Sequence, residues 1–429
     1  MSELQPTNAA ETAAAPGATA LSSPVKNRPT VARHGRQKRR TGWAAALGII
    51  AGALASVLVA AGGVAALAAY QLSGNIDQEA IAADAIPLPP MVGAYEGGFN
   101  MLIVGSDTRA GQGGLGAGVG DSGELNDVTM LLHVSDDQKS ATLVSFPRDL
   151  MLPMPACKNG GPATATAVNT ALSYGGLDCA VKMIEANTGL TIDFAGLVTF
   201  RGVIAMSNAV GGVDVCTTGP IVDPYTGLKI RSAGTHTLKG SQALAFLRSR
   251  HGVGDGSDLS RISTQQVYLS SLVRTIKADE TLEDAAVVYK LANAATKNMT
   301  LSKNLARLDV LASLALVLKD IPLENIVMVQ YPSTTGVTSP AYYVGKAAPI
   351  TALADKLFAA LRSDKAIALD GDALNSGRDA VAEGEAPEPE ETETADPTAS
   401  PTPSETTTTT TIGGIKGQTA GQYSCAVPF

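Results

Sequence analysis

Acidic and basic side chains gather in two parts of this sequence where apolar runs begin or end, and their types suit the handling of a phosphate ester. In the first part, Asp107 and Arg109 follow the run Met101-Leu102-Ile103-Val104, Asn126-Asp127 open the next apolar run, and Arg148-Asp149 close a third. Carboxylates such as Asp107 and Asp127 are hard oxygen ligands suited to Mg²⁺, while Arg109 and Arg148 carry planar forks that grip phosphate oxygens in pairs. Read alone, any one of them is equally well a solvated turn or a loop ion pair. In the second part, Arg248 and Arg250 precede a Gly-rich loop, after which Asp258, Arg261 and Gln265 recur at spacings that place them along one stripe of a helix. The start of that helix adds backbone N–H groups and a positive dipole end, both suited to an anion.

Better-known signatures fail. Gly111-Gln112-Gly113-Gly114-Leu115-Gly116 has the spacing of a dinucleotide-binding loop, but further glycines stand where a helix should open. A P-loop lacks its Gly-Lys-Ser/Thr ending. Gly120-Asp121-Ser122-Gly123 resembles a serine-protease fragment without convincing His and Asp partners. Of the histidines, only His251, beside Arg250, is placed to join a site.

Regular elements must bring the two parts together. Positions 99–105, 128–134 and 141–146 read as strands, the last two joined by the turn Ser135-Asp136-Asp137-Gln138. Helices are expected over 177–188, stopped by Gly189, over 200–210, closed by Gly211-Gly212, and over 239–247. A longer one is expected over 258–276, capped by Ser257 or Asp258, with Ile262, Leu269, Leu272, Val273 and Ile276 as its apolar stripe. Further strands are expected at 213–216 and 325–331. Strands interleaved with helices predict an α/β fold, a three-layer sandwich with a central β-sheet flanked by helices, and the hairpin makes that sheet mixed.

The stretches MLIVGSDTR (101–109), LNDVTMLLHV (125–134), ATLVSFPRDL (141–150), VGGVDV (210–215) and GSQALAFLRSRHGVGDGSDLSRISTQQ (240–266) together resemble, in order, the LytR-CpsA-Psr proteins of Gram-positive cell walls. The resemblance implies a phosphotransferase that moves a glycopolymer from a polyprenyl-pyrophosphate carrier onto peptidoglycan, at a muramic acid hydroxyl. It implies Asp107 and Asp127 as Mg²⁺ ligands, and Arg148, Arg248, Arg250, Arg261 and Gln265 as pyrophosphate-binding and transition-state residues. Asp258 then orients the arginines, and Arg109 joins the same pocket. The chain departs from the family pattern at Leu125 and Thr264, where many members carry arginine. A carrier lipid also needs an apolar groove, for which Leu197, Val203, Ile204, Leu244, Phe246 and Leu269 are candidates. Asp149 and Asp127 both stay open as general base. A lipid pyrophosphatase and a non-catalytic carrier-lipid sensor or scaffold stay open as alternative functions.

The 429 residues, 45% of them apolar, suffice for one large folded domain. No charge occurs from Trp43 to Tyr70. As a helix this run is ~42 Å long, more than the ~30 Å of a bilayer core. Lys26, Arg28, Arg33, Arg36, Lys38, Arg39 and Arg40 precede it, which predicts a cytoplasmic N-terminus, a single uncleaved span and a catalytic domain outside the cell membrane. The same position beside a span accounts for the basic residues without a nucleic-acid partner; the expected partners are membrane lipid, the carrier-linked glycopolymer and peptidoglycan.

The resulting organisation is a disordered basic tail (1–42), a span (43–70), a spacer (71–96), an extracytoplasmic domain (97–370), a disordered Pro/Thr/Glu linker (371–411) and a C-terminal segment (412–429). Cys157, Cys179, Cys216 and Cys425 all follow the span, and an oxidising compartment makes disulfides the default. Spacing leaves three connectivities open. The expectation carried forward joins Cys157 to Cys179 and Cys216 to Cys425, the latter docking the C-terminal segment onto the domain.

Overall fold

The computed structural model describes residues 77–85, 88–91, 93–106, 125–278, 285–370, 381–384 and 409–429, with Tyr70 and Gly74. The expected tail, the expected span short of Tyr70, and 107–124 with Asp107, Arg109 and the two rejected glycine motifs lie outside the described residues. Among the described residues no helix is long and apolar enough to cross a membrane.

In chain order the strands used below are β1 (Asp77–Glu79), β2 (Phe99–Ser106), β3 (Asn126–Val134), β4 (Ala141–Phe146), β5 (Phe194–Val198), β6 (Val213–Thr217), β7 (Gly234–Leu238), β8 (Met299–Ser302), β9 (Ile326–Gln330), β10 (Val381–Glu383), β11 (Gly417–Thr419) and β12 (Ser424–Ala426). The helices are α1 (Ala171–Thr188), α2 (Phe200–Ala209), α3 (Ser241–Arg248), α4 (Asp258–Lys277), α5 (Ala285–Asn298), α6 (Leu308–Asp320) and α7 (Thr351–Arg362). The central sheet runs β1-β8-β5-β2-β3-β4-β9-β11. It is mixed: β3 is antiparallel to both β2 and β4, whereas β5 joins β2, and β9 joins β4, in parallel.

Side chains alternate between faces with the period of two that a pleated strand imposes. Leu102, Val104, Leu131 and Val144 enter one core with Leu177 and Ile184 of α1 and Leu357 and Phe358 of α7. Phe99, Met101, Val134 and Leu143 face the other, against Val310, Leu314 and Val317 of α6 and Leu269 and Val273 of α4. The result is the expected sandwich of helices, mixed sheet and helices. A smaller sheet, β7-β6-β12-β10, packs with α3 and the opposite flank of α4 around Val215, Phe246 and Val267. Helix α4 therefore lies between two sheets, and its apolar residues divide between two cores instead of forming one stripe.

Both disulfides form. Cys157 is bonded to Cys179 across 22 residues, and Cys216 to Cys425 across 209. Cys216 and Cys425 are direct partners on the parallel strands β6 and β12.

Two expected segment boundaries change. The spacer 71–96 contains β1, which pairs in parallel with β8, and Tyr95, whose ring meets Phe99 and Phe194 edge to face. The linker 371–411 contains β10, paired with β12, and Thr409–Thr411, paired with Ala366–Ala368. All three are strands of three residues, too short for local periodicity to reveal and held by partners far along the chain. The rest of that linker lies outside the described residues.

Helix α1 is broken at Gly176, whose φ of +70° suits only glycine, so regular helix begins at Leu177. The Leu177 N–H donates to Glu79 Oε1 at 2.9 Å, and thus β1 caps the inner half of α1 from 98 residues away. Glu79→Ala is expected to lower unfolding free energy by about 1 kcal/mol, the usual worth of an N-terminal cap, with Glu79→Gln recovering much of it. Urea titration monitored by circular dichroism measures both.

Candidate active site

The site grows out of irregularities at strand ends. Gly105 pairs with Val128 but Ser106 pairs with Asn126, so Asp127 is the extra residue of a β-bulge. A bulge turns a side chain away from the alternating pattern, and here it sets Asp127 toward Arg148. The Asn126 side chain anchors the bulge, donating from Nδ2 to Thr129 Oγ1 at 2.8 Å and to the Val168 carbonyl at 2.9 Å. Just past β4, the backbone of Arg148 is held by the Asn169 N–H, which donates to its carbonyl at 2.9 Å. Across the groove, Ser257 Oγ accepts from Ser260 N at 3.2 Å and so caps α4; this places Asp258 in the first turn and Arg261 one turn later.

These residues interlock. Arg148 Nη1 donates to Asp127 Oδ1 at 3.0 Å, and its Nε lies 3.4 Å from Asp149 Oδ2 and 3.7 Å from Asp258 Oδ1. Arg261 Nη2 contacts Asp258 Oδ1 at 2.7 Å and donates to the Asp127 carbonyl at 3.1 Å. Two arginines thus share three carboxylates. The Arg261 side chain is only 7% exposed and Asp258 14%, so neither charge is dissolved in bulk water. Arg261 Nε–H and Asp258 Oδ2 are buried and hydrogen-bonded to nothing among the described residues, an arrangement that a bound polar group would complete.

Lys346 was not visible to sequence reasoning. It stands in the turn before Ala347, and its Nζ reaches Asp149 Oδ1 at 2.6 Å. A lone lysine in a short loop carries no periodicity or motif, so only tertiary placement reveals it. Burial alone would raise the Asp149 pKa, but the Lys346 ammonium and the Arg148 guanidinium outweigh it and hold the carboxyl below its ordinary value. Burial likewise pulls Arg148 down, and Asp127, Asp258 and Asp149 more than reverse this, leaving it above the ordinary guanidinium value. Asp149 is therefore held as the anionic partner of Lys346 and Arg148.

Beside the network lies a cavity of about 330 Å³. Its walls come from the sheet (Ile103, Val128, Met130), α2 (Phe200, Val203, Met206), α3 (Leu244, Leu247) and α4 (Tyr268, Leu269, Leu272), while Asp127, Arg261, Gln265 and Arg248 supply most of its charge and amide groups. The cavity and the ion-pair network share Asp127 and Arg261. Of the residues expected to form a groove, Val203, Leu244 and Leu269 line it. Leu197, Ile204 and Phe246 do not; Phe246 is fully buried in the core of the smaller sheet and Leu197 packs on the core beneath α1.

The remaining expected site residues divide. Arg248 lies with its guanidinium carbon 4.5 Å from the Phe200 ring centroid, and Gln265 Nε2 donates to the Leu247 carbonyl at 2.9 Å. Arg250 Nε donates at 2.9 Å to the carbonyl of Gly256, two residues before Asp258, which links it to the head of α4 without a direct contact to the carboxylates. Thr264 is fully buried and its hydroxyl turns back on the Arg261 carbonyl at 2.9 Å, so that position adds no cation. Asp107 and Arg109 lie outside the described residues. Among the described residues no three His, Cys, Asp or Glu side chains group closely enough to hold a metal by themselves. Mg²⁺, however, usually takes only one or two carboxylates and completes its shell with water and substrate phosphate, and Asp127 can serve as one of these.

An α/β sandwich in which interlocked arginines and aspartates adjoin an apolar cavity defines a domain suited to an amphiphile with an anionic head. The chain belongs to the LytR_cpsA_psr family, whose model matches residues 65–359. It is 30% identical over 240 residues to the cell wall biosynthesis protein LcpA of Corynebacterium glutamicum, a match covering 49% of this chain and 46% of that protein. The chain thus spans about half the length of this curated relative. It is 27% identical over 256 residues to the polyisoprenyl-teichoic acid–peptidoglycan teichoic acid transferase TagT of Bacillus subtilis, covering 57% of this chain and 75% of TagT. A solved LytR-Csp2A-Psr enzyme from Actinomyces oris is similar with a TM-score of 0.49 at 22% identity, over 67% of this chain and 96% of that one.

A pH test follows from Asp149. Its folded pKa is depressed, so the stability it contributes is complete above the unfolded carboxylate value of about 4 and is lost as pH falls through the lower folded value. Lys346→Met should raise the folded pKa of Asp149, visible in carboxyl-carbon NMR titration. The stability gap between wild type and variant at neutral pH should close in acid below about pH 4; a gap that persists there would assign the loss to packing.

Proposed function

We propose that this protein is a membrane-anchored phosphotransferase that moves a glycopolymer from a polyprenyl-pyrophosphate carrier to peptidoglycan. The observation that carries the reading is the sharing of Asp127 and Arg261 between an arginine–carboxylate network and an apolar cavity. A polyprenyl pyrophosphate demands this combination, a dense anionic head joined to a hydrocarbon tail. Membership of the family, with relatives named for cell wall biosynthesis and teichoic acid transfer, supports the same substrate class. The uncharged run from Trp43 to Tyr70, behind a basic segment, supports an N-terminal anchor with the domain on the outer face.

In this reading Asp127 would hold Mg²⁺ together with Asp107, which lies outside the described residues, and the bound ion would supply positive charge against the pyrophosphate. Phosphoryl transfer asks the protein for position and charge compensation more than for covalent chemistry. Arg148 and Arg261 grip the pyrophosphate, Asp258 and Asp149 hold the two guanidinium groups in place, and Lys346 keeps Asp149 ionised for that task. An acceptor hydroxyl attacks the phosphorus bearing the sugar chain. The new P–O bond joins glycopolymer to peptidoglycan as the hydroxyl proton is released to water, the bridging P–O bond breaks, and polyprenyl phosphate departs with its tail along the cavity.

The test uses the full chain in detergent, a synthetic polyprenyl-pyrophosphate-linked saccharide, Mg²⁺ and purified peptidoglycan. Arg148→Ala and Arg261→Ala should each lower transfer roughly 100-fold or more, as removal of a transition-state donor does. Chelation of Mg²⁺ should also stop the reaction. Transfer at wild-type rate by both variants would refute the assignment, and release of free saccharide phosphate regardless of peptidoglycan would make the protein a pyrophosphatase.

A further inference from the structure

The short hairpin formed by Ile221–Asp223 and Leu228–Ile230 has no part in the chemistry described so far. It contains Asp223, which is fully buried. Its Oδ2 accepts from Ser249 Oγ at 2.9 Å, from the Arg250 N–H at 3.0 Å and from the His251 N–H at 3.1 Å, while Oδ1 accepts from the Tyr225 N–H at 3.0 Å. Burial would raise the pKa of this carboxyl, yet these four donors outweigh it and keep Asp223 below the usual carboxylate range. Gly252 packs so closely that a Cβ there would stand 3.1 Å from Asp223 Cβ.

A buried carboxylate gives up its hydration at a cost that only good hydrogen bonding offsets, and closing a hairpin does not require one. Three of the four bonds fall on consecutive residues, Ser249, Arg250 and His251, which connect α3, carrying Arg248, to the Gly-rich loop. Arg250 Nε then reaches the Gly256 carbonyl, so the hydrogen bonds run from Asp223 to the residues just ahead of Asp258 and Arg261. We propose that Asp223 is a positioning residue for anion recognition, fixing the backbone at 249–251 so that Arg250 is delivered to the pyrophosphate. This rests on the pyrophosphate reading of the site, and Asp223 itself touches no substrate.

The experiment is a double-mutant cycle on the full chain in detergent, with farnesyl pyrophosphate and Mg²⁺ as probe, affinity read by calorimetry and folding by thermal melt. Asp223→Asn keeps the size but loses the charge and half of the acceptor capacity. It should weaken binding about tenfold in wild type and less than about twofold in the Arg250→Ala background, because contacts in one network are not additive. Ser249→Ala, which removes a single donor, should weaken binding about threefold and again only where Arg250 is present. It keeps the inference open to refutation should Asp223→Asn fail to fold. Equal losses in both backgrounds, or no loss from either substitution, overturn the inference. Binding that depends on Arg148 but is indifferent to Arg250→Ala sinks Asp223's role while leaving the site reading intact, whereas a wild-type protein that does not bind the probe sinks both.

Discussion

The architecture of the site depends on two guanidinium groups that share three carboxylates at the end of the sheet. Arg148 and Arg261 come from a strand terminus and a helix more than a hundred residues apart, and each is partly or wholly withdrawn from solvent. Desolvating such charges is costly, and removing one partner leaves the others buried and uncompensated. The fold must therefore hold all five groups in register at once. The bulge at Asp127, the backbone clamp on Arg148 and the Ser257 cap on α4 can each be understood as meeting that demand.

Helix α4 carries much of the remaining constraint. Toward the sheet it is polar as well as apolar: Gln330 of β9 donates to Ser263 Oγ at 2.8 Å, and Gln418 of β11 donates to Ser270 Oγ at 3.2 Å. Apolar packing alone tolerates small sliding of a helix, but directional bonds at two points along its length resist rotation and translation. The reward is a fixed azimuth for Arg261 and Gln265, which face the cavity, while the opposite flank serves the core of the smaller sheet.

Much of this was legible in the sequence because local pattern and local structure agree there. Strands β2, β3 and β4, helices α2, α3 and α4, and the Gly189 stop of α1 follow from alternation, periodicity and turn chemistry, and the resemblance to LytR-CpsA-Psr proteins rests on the stretches that form β2, β3, β4, α3 and the start of α4. What local pattern could not supply is whatever depends on distant pairing. Strands β1 and β10 are three residues long and exist because β8 and β12 lie beside them. Lys346 belongs to no motif. The two-sided burial of α4 arises because the smaller sheet covers the flank that a simple amphipathic reading leaves to water, and Phe246 went to that sheet's core for the same reason.

The Cys216–Cys425 bridge ties a central strand of the smaller sheet to one contributed from 209 residues later. A ribosome delivers the chain from its N-terminus, so the Cys157–Cys179 link can close early, when only a short further stretch has emerged. Strand β12 and its cysteine arrive long after β6 has been made. Until then β6 lacks the strand that pairs with it opposite β7, and Cys216 lacks the cysteine it is bonded to in the fold. The order in which the bridges become possible is thus written in the chain: Cys157 and Cys179 both precede Cys425, and the second closure waits for β12.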